Sequence, residues 1–337
     1  MSALLILFLF LSCSTPKQIA KAVKPAEMSA PVFRVAFGSC NNQDQDQSFW
    51  ELVLKQNPQV WLWLGDNIYA DTRVPRVLKA KYQKLLDNPH YKALAKQVRI
   101  TGTWDDHDFG ENDAGASFPM RRVSKDLFWD FMQVPKASIL RSQEGVYRAE
   151  VWKIGSHQVK LLILDSRYNR DPLKKNEEGE YLPTEGDMLG EKQWQWFEKE
   201  LGEASSYDVV VVANGTQVLS SKHPFEKWAN FPKSRERLLK LLDESPVKTK
   251  ILLSGYRHFG EINQLKLPSG ALLTEVVASG LTHSYEAANE PNEMRVGPLW
   301  PQTHFALMDF FETPDLLRVR LSIQDIKTQN IVNSIEL

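Results

Sequence analysis

Hydrophobic positions in this chain fall into short continuous runs that alternate with amphipathic stretches. Residues 60–64 and 209–213 are apolar at every position, which is typical of strands buried on both faces of a sheet. Residues 191–201 are amphipathic and predict a helix. Such an alternation of buried strands and helices predicts an α/β fold with a mostly parallel central sheet.

The same patterns predict the remaining elements. Strands are expected at residues 32–37, 98–103, 146–152, 158–164, 251–254, 272–278, 305–310, 317–323 and 331–335, and helices at residues 49–55, 77–86, 127–132 and 235–242. The hairpin and the strand-rich C-terminal part favour a mixed sheet or a second sheet. Two sheets with helices on the outside would fit this order of elements.

The N-terminus has the pattern of an export signal. Residues 3–11 are an apolar run too short to span a bilayer, and Leu-Ser-Cys-Ser follows, similar to a lipoprotein cleavage box. We predict a signal peptide over residues 1–13 with a lipid on Cys13, a flexible tether over 14–31 and one domain over 32–337. The expected location is periplasmic, outer-membrane or secreted. No Lys or Arg precedes the apolar run, so a plain signal peptide or a buried strand remains an alternative.

Composition and charge narrow the classes of function. The 337 residues are 42% hydrophobic and 25% charged, with a net charge of −1. This composition is ordinary for a globular protein, and it argues against a scaffold that binds nucleic acid, which would carry a basic excess. A small anionic substrate needs only a few local charges and remains open. We expect a monomer.

Polar residues follow the predicted strands at the point where each strand ends. They are Cys40, Asp66, residues 105–108, Asp165, Asn214 and His258. Ligands of open α/β sheets bind at the carboxyl edge, so we expect these side chains to lie together. For any single Asp, a helix cap or a turn is the alternative reading.

The residue types at this edge suit cations. Asp66, Asp105, Asp106 and His107 are hard or borderline ligands, and a cluster of carboxylates would repel itself without balancing cations. Two such cations would clamp a phosphoryl group and activate a water molecule.

Two further candidate donors each have an alternative interpretation. Tyr69 lies three residues after Asp66, and a tyrosinate suits Fe(III), but a packed core tyrosine is the alternative. Cys40 has no cysteine to pair with if Cys13 is lipidated or removed. It is therefore a reactive thiol, a metal ligand or an inert core residue.

An ordered series of motifs resembles the alkaline phosphatase D (PhoD-like) family. The motifs are Phe37-Gly38-Ser39-Cys40-Asn41, Gly65-Asp66-Asn67-Ile68-Tyr69-Ala70-Asp71, Thr103-Trp104-Asp105-Asp106-His107-Asp108, Leu164-Asp165-Ser166-Arg167 and Ser279-Gly280-Leu281-Thr282-His283. The resemblance spans roughly residues 33 to 325. It implies a calcineurin-like metallophosphoesterase, an α/β/β/α sandwich with mixed sheets, that hydrolyses phosphate mono- or diesters.

The resemblance also implies a cofactor set, Fe(III) and Ca²⁺, and roles for individual residues. Cys40, Asp66 and Tyr69 would hold the iron, and Asp66 would bridge to calcium with Asn112 as a further ligand. Asp105, Asp106 and His107 would line the site. Arg167 would pair with the substrate phosphate, with a surface salt bridge as its alternative. Our own hypothesis is that His107 or His258 protonates the leaving alkoxide, and the alternative for either residue is a metal ligand.

One position departs from the family pattern. The family usually has Gly-Asp-x-His late in the chain, whereas this sequence has Gly255-Tyr256-Arg257-His258. A phenolate is a poor calcium ligand, so Tyr256 raises an alternative: a non-catalytic or weakened surface lipoprotein of the same fold. A phospholipase-type phosphodiesterase is a further alternative.

Overall fold

In the computed structural model, which describes residues 30–313 and 315–337, strands and helices alternate as the pattern predicts. The strands are β1 (Phe33–Gly38), β2 (Val60–Leu64), β3 (Arg99–Thr103), β4 (Arg148–Ile154), β5 (His157–Ile163), β6 (Lys174–Lys175), β7 (Tyr181–Leu182), β8 (Val209–Ala213), β9 (Thr249–Ser254), β10 (Gly260–Lys266), β11 (Leu272–Ala278), β12 (Arg295–Trp300), β13 (His304–Glu312), β14 (Leu317–Asp325) and β15 (Ile331–Glu336). The α-helices are α1 (Phe49–Lys55), α2 (Pro75–Asp87), α3 (Pro89–Ala95), α4 (Asp106–Phe109), α5 (Arg121–Phe131), α6 (Glu191–Gly202) and α7 (Pro232–Glu244).

The larger strands form two mixed sheets. The first has the order β15-β14-β13-β1-β2-β3, in which β1, β2 and β3 are parallel. The second has the order β12-β10-β11-β9-β8-β5-β4, in which β5, β8, β9 and β11 are parallel. Antiparallel strands from the C-terminal part and from the hairpin complete both sheets. The prediction of a second sheet is therefore confirmed.

Side-chain alternation along each strand builds a layered core. In β2, Leu62 and Leu64 point between the sheets, where Val211 and Leu253 of the second sheet meet them. Trp61 and Trp63 point the other way, into the core under helices α1 to α5, while α6 and α7 cover the second sheet in the same manner. Helices therefore cover both outer faces, which explains the continuous apolar runs and confirms the α/β/β/α sandwich.

Four strands, β6, β7, β10 and β12, and two helices, α3 and α4, are absent from the sequence prediction. In β10, the polar residues Glu261 and Asn263 are buried, so the strand lacks a run of apolar residues. The Glu261 carboxylate forms an ion pair with Arg295 of β12. Helix α3 begins at Pro89, where the Asn88 side chain accepts hydrogen bonds from the first-turn amides. These elements depend on long-range or capping contacts that hydrophobic periodicity does not report.

The predicted signal peptide, the lipid-accepting Cys13 and almost all of the tether lie outside the described residues. Residues 31–337 form one compact unit. Within the described ranges, no helix is both long enough and apolar enough to cross a membrane.

Candidate metal centre

The carboxyl ends of the parallel strands of both sheets meet at one edge. Glycines make this close approach feasible, because a Cβ atom at Gly255, after β9, would lie 2.5 Å from the Leu64 carbonyl oxygen at the end of β2. A Cβ at Gly215, after β8, would lie 2.5 Å from Asp105 Oδ1. A larger residue at Gly255 would clash with the backbone of β2, and one at Gly215 would displace the Asp105 side chain. The polar residues that follow the strands are thereby gathered in one place.

Four of the predicted residues form what we call the thiol cluster: Cys40, Asp66, Tyr69 and His258. The Cys40 Sγ atom lies 3.4 Å from Asp66 Oδ2, and the Tyr69 hydroxyl lies 3.0 Å from His258 Nε2. Ligand atoms of Cys40, Asp66 and His258 all lie within 4.8 Å of one another. Thiolate, carboxylate, phenolate and imidazole in this arrangement fit a single hard or borderline cation.

The backbone at this cluster adopts an uncommon conformation. Cys40, Asp66 and His258 have φ values of 62°, 46° and 57°, and Tyr256 has 77°. Such left-handed conformations are unfavourable for residues with a Cβ, and they concentrate at functional sites where surrounding contacts hold them. Here they turn the chain sharply after three strands, which directs the side chains toward one another.

Electrostatics within the thiol cluster favour a cation. Burial, and then the charge of Asp66, raise the pKa of the Cys40 thiol. Burial and the charge of Asp106 raise the pKa of Asp66 in the same way. Both shifts report a cost of holding negative charge in this site, and a bound cation removes that cost. Burial and His283 lower the pKa of His258 to about 3, so its imidazole is neutral and free to bind a metal.

A second group of ligand atoms shares Asp66. Asp66, Asp106 and His107 have ligand atoms that all lie within 4.8 Å of one another. The His107 ring nitrogen Nδ1 lies 2.8 Å from the carboxylate of Asp71. Although burial opposes it, the charges of Asp66 and Asp106 raise the pKa of His107 to about 10. The shared carboxylate gives the site the layout of two adjacent cation positions.

Arg167 lies behind this group and not at the surface. Its side chain is fully buried, with Nε 2.5 Å from Asp105 Oδ1 and one terminal nitrogen 2.6 Å from Glu226 Oε2. The other terminal nitrogen lies 3.6 Å from Asp106 Oδ1. Although burial opposes it, the charges of Asp105 and Glu226 raise the pKa of Arg167, so the guanidinium is a permanent cation inside the acidic cluster.

The other two predicted ligands have different surroundings. Asp105 is directed at Arg167, and its carboxylate belongs to neither group of ligand atoms among the described residues. Asn112 lies on the wall of the pocket that opens onto the site, with its amide nitrogen 2.8 Å from Asp113 Oδ2.

Tyr256, which stands where the family usually has Asp, contacts a carboxylate instead of supplying one. Its hydroxyl donates a hydrogen bond to Asp113 Oδ1 at 2.7 Å. Tyr181, at the start of β7, also donates to Asp113, and the Asp113 amide donates to Asp106 Oδ2 at 2.8 Å. Asp113 is therefore a fixed carboxylate next to the second group, held in part by the unusual tyrosine.

Two residues at the site are not among the metal ligands or catalytic residues predicted from the sequence, although His283 was expected as a residue that lines the cleft. Glu226 is fully buried and pairs with Arg167 and also with Arg170. The ring centroid of His283 lies 4.4 Å from that of His258 and 5.1 Å from that of Tyr69. His283 ends the motif Ser279-Gly280-Leu281-Thr282-His283, so the sequence did indicate that it belongs to the site. Glu226 had no such motif, because its loop is brought in by the tertiary fold.

A pocket of about 290 Å³ opens onto these groups. Its lining is Asp66, His107, Asn112, Phe225, Tyr256, Arg257, His258, Ser284 and Tyr285. A concave site with carboxylate and imidazole groups at its floor has the form expected of a small-molecule enzyme site.

Two mixed sheets with helices outside, and ligand side chains gathered at their shared carboxyl edge, define a calcineurin-like metallophosphoesterase fold. The sequence profile of PhoD-like phosphatases matches residues 35–305, so the chain belongs to the PhoD-like phosphatase family. Family membership supports phosphoester hydrolysis.

Individual relatives agree with this family. Alkaline phosphatase D of Bacillus subtilis (strain 168) is 20% identical over 326 residues, covering 82% of this chain and 55% of that protein. The chain thus spans about half the length of this curated relative. The solved structure of PhoD matches with a TM-score of 0.73 and 18% identity, over 93% of this chain and 70% of that one.

Two more distant structures share the fold. Purple acid phosphatase PPD1 from yellow lupin (Lupinus luteus) seeds matches with a TM-score of 0.63 and 12% identity, over 90% of this chain and 53% of its own. GAP50, the anchor in the inner membrane complex of Plasmodium, matches with a TM-score of 0.58 and 12% identity, over 90% and 89%. At these identities the likeness is one of fold alone.

Proposed function

We propose that this protein hydrolyses phosphate mono- or diesters in a metal-dependent reaction. The observation that carries the proposal is that Asp66 belongs to both groups of ligand atoms, which is the layout of a two-cation phosphoesterase site. Membership of the PhoD-like family agrees with it. Because the chain covers 55% of its curated relative, the activity of the relative is carried over only as part of this proposal.

The cations that we propose are Fe(III) and Ca²⁺. The thiol cluster suits iron, since its phenol and thiol are donors that bind as anions. The oxygen-rich side, with Asp66, Asp106 and Asn112, suits calcium, and His107 lies at its edge. Cations bound there would neutralise charge on the phosphoryl oxygens and lower the pKa of a bound water.

The two candidate proton donors differ in charge. His258 has a pKa lowered to about 3, and we assign it to metal binding. His107 has a pKa raised to about 10 and is held by Asp71, so it carries a proton in the metal-free protein. Positive charge nearby would lower that value toward neutrality, where a general acid is most effective. We therefore assign proton donation to the leaving alkoxide to His107.

For Arg167 we propose a positioning role. Its donors are engaged by Asp105 and Glu226, and it does not line the pocket. As a fixed cation it balances the buried carboxylates behind the ligand atoms. Asp105 would then act through Arg167, and Asp106 would remain the carboxylate nearer the second cation.

The substrate panel should include a phospholipid, because a phospholipase-type phosphodiesterase shares this chemistry. The loops at residues 168–190 and 284–300 shape the surroundings of the site: Tyr181 contacts Asp113, and Tyr285 lines the pocket. We further propose export, with a lipid anchor on Cys13 at the membrane and a monomeric protein outside it.

The direct test is hydrolysis of p-nitrophenyl phosphate and of its bis ester by the chain from Ser14 onward. We expect turnover in the presence of iron and calcium, and loss of that turnover when a chelator removes the metals. Restoring iron and calcium should restore activity. Unchanged turnover in the chelator, at verified metal depletion, would contradict a metal-dependent reaction.

Tyr256 also favours a second candidate, a non-catalytic or weakened surface lipoprotein of the same fold. Tyr256 stands where the family usually has an Asp, so the usual carboxylate is missing at this position. GAP50, a protein of similar fold, is described as an anchor. No turnover of either p-nitrophenyl ester by folded, metal-loaded protein would favour this candidate.

Replacing Tyr256 by Phe tests which candidate is correct. The change removes the donor to Asp113, and we expect kcat/KM to fall about two- to tenfold, the size of one hydrogen bond. Tyr256→Asp should also lower the rate, because a carboxylate would then face Asp113. Tyr207→Phe, which lies before β8 at the opposite edge, is the matched control and should match wild type. A large gain with Tyr256→Asp would instead indicate a weakened enzyme.

A further inference from the structure

The pocket has a second wall away from the ligand atoms, which we call the aromatic wall: Phe225, Arg257 and Tyr285. Phe225 and Tyr285 leave 39% and 45% of their surface exposed. Large aromatic side chains usually bury most of their area, and an exposed apolar surface inside a pocket is typical of a ligand contact. Metal binding and phosphoryl chemistry do not use these rings.

The aromatic wall is held in place before any ligand arrives. The guanidinium carbon of Arg257 lies 4.1 Å from the ring centroid of Phe225 and 5.2 Å from that of Phe259. Only 5% of the Arg257 side chain is exposed, and it pairs with Glu290. The Phe225 carbonyl accepts a hydrogen bond from Lys227 Nζ at 2.9 Å. A prearranged wall loses little entropy when a ligand binds.

The aromatic wall is directly connected to the thiol cluster. Arg257 precedes His258 in the chain, and the Tyr285 amide donates to the His258 carbonyl at 2.7 Å. A phosphoryl group at the ligand atoms would therefore share one pocket with these rings, which places them within the space open to its ester arm. The 290 Å³ pocket has room for both groups, since a cavity of about 150 Å³ accommodates benzene.

We propose that the aromatic wall binds a planar aromatic arm of a phosphodiester, the arm that stays on phosphorus when the leaving alcohol departs. Water supplies the entering oxygen, the P–O bond to the leaving group breaks, and the P–O bond to the aromatic arm is retained. This inference rests on the proposed phosphoesterase function and names the substrate class that the site prefers.

The test uses three diesters with the same leaving group, p-nitrophenol, and with a methyl, cyclohexylmethyl or benzyl group as the second arm. A shared leaving group keeps the chemistry constant, so differences report binding of the arm. We expect kcat/KM for the benzyl diester to exceed that for the cyclohexylmethyl diester about two- to tenfold, the range for aromatic stacking. The methyl diester should be the slowest.

Phe225→Leu keeps an apolar side chain but removes the ring. We expect the ratio between the benzyl and cyclohexylmethyl diesters to fall close to one in this variant. Ile139→Ala, an exposed apolar residue outside the pocket, is the control and should keep the wild-type ratio. Equal ratios in wild type and Phe225→Leu would overturn the proposal.

Binding of phenylphosphonate and cyclohexylphosphonate to metal-loaded protein, measured by calorimetry, separates this inference from the proposed function. A preference for the phenyl compound that Phe225→Leu removes would support the aromatic wall even if no diester were hydrolysed. Hydrolysis without any such preference would overturn the aromatic wall and leave the phosphoesterase function standing. Binding of neither compound, together with no hydrolysis of any of the three diesters, would overturn both.

Discussion

Replacing Asp66 by Ala should abolish phosphoester hydrolysis. Asp66 is the one carboxylate common to the two groups of ligand atoms found among the described residues. Its loss therefore weakens both proposed cation positions at once, whereas loss of Cys40 or Asp106 would affect one. Because metal stabilisation of a phosphoryl transition state is worth several kcal/mol, we expect kcat/KM to fall about 10³-fold or more.

The metal content of the purified variant should fall with its activity. Inductively coupled plasma mass spectrometry of wild type and variant, prepared with the same iron and calcium supplements, measures this directly. Asp126→Ala, an exposed carboxylate on α5, is the control and should keep both metal content and rate. Full activity of Asp66→Ala would exclude the proposed site.

The stability of a variant at Asp66 shows whether this residue is a metal ligand or mainly supports the fold. Burial and Asp106 raise the pKa of Asp66, so its charge is unfavourable in the metal-free fold. Asp66→Asn removes that charge and keeps a residue that tolerates the φ of 46°. We expect the metal-free variant to be at least as stable as wild type toward urea. A large loss of stability would mean that Asp66 mainly supports the fold.

Replacing Arg167 by Met should have the largest effect on stability. The guanidinium is fully buried between Asp105 and Glu226, and its removal leaves Asp105 without its paired cation and Glu226 with Arg170 alone. Breaking a buried ion pair on one side costs about 3–5 kcal/mol of unfolding free energy. Urea denaturation of the metal-free protein, monitored by fluorescence, measures this change. Some of the stability should return in the Arg167→Met/Glu226→Gln double variant.

A surface pair provides the matched control. Arg73 pairs with Glu111, but 64% and 35% of their side chains are exposed, so Arg73→Met should change the unfolding free energy by no more than about 1 kcal/mol. If Arg167→Met were nearly as stable as wild type and yet lost activity about 100-fold, the direct phosphate contact predicted from sequence would be favoured over positioning.

Much of the fold could be predicted from the sequence because its strands are covered on both faces. The run at β2 is apolar throughout, which reports burial directly, and the bounds predicted for α1, β2, β8 and β11 agree with the structure. The strand β10 could not be predicted in this way. Its buried Glu261 is paired with Arg295 and accepts hydrogen bonds from Asn292 and Gln217, which reach it from other parts of the chain.

The site residues also fall into those that the sequence could predict and those that it could not. Cys40, Asp66 and His258 each follow a strand, and parallel strands bring their carboxyl ends together, so the sequence by itself determined that these groups would meet. The motif series also determined the family, which the profile match over residues 35–305 confirms. Local spacing was sufficient here because each residue is positioned by its own strand.

Only the tertiary structure decided the partners of Arg167 and of Tyr256. Glu226 lies 59 residues from Arg167 in the chain, and Asp113 lies 143 residues from Tyr256. A buried charge or hydroxyl takes the partner that the packed fold brings near it, since leaving it unpaired costs several kcal/mol. Spacing along the chain gives no information about which partner that is. Arg167, which the sequence predicted as a phosphate ligand, therefore lies inside the protein between two carboxylates.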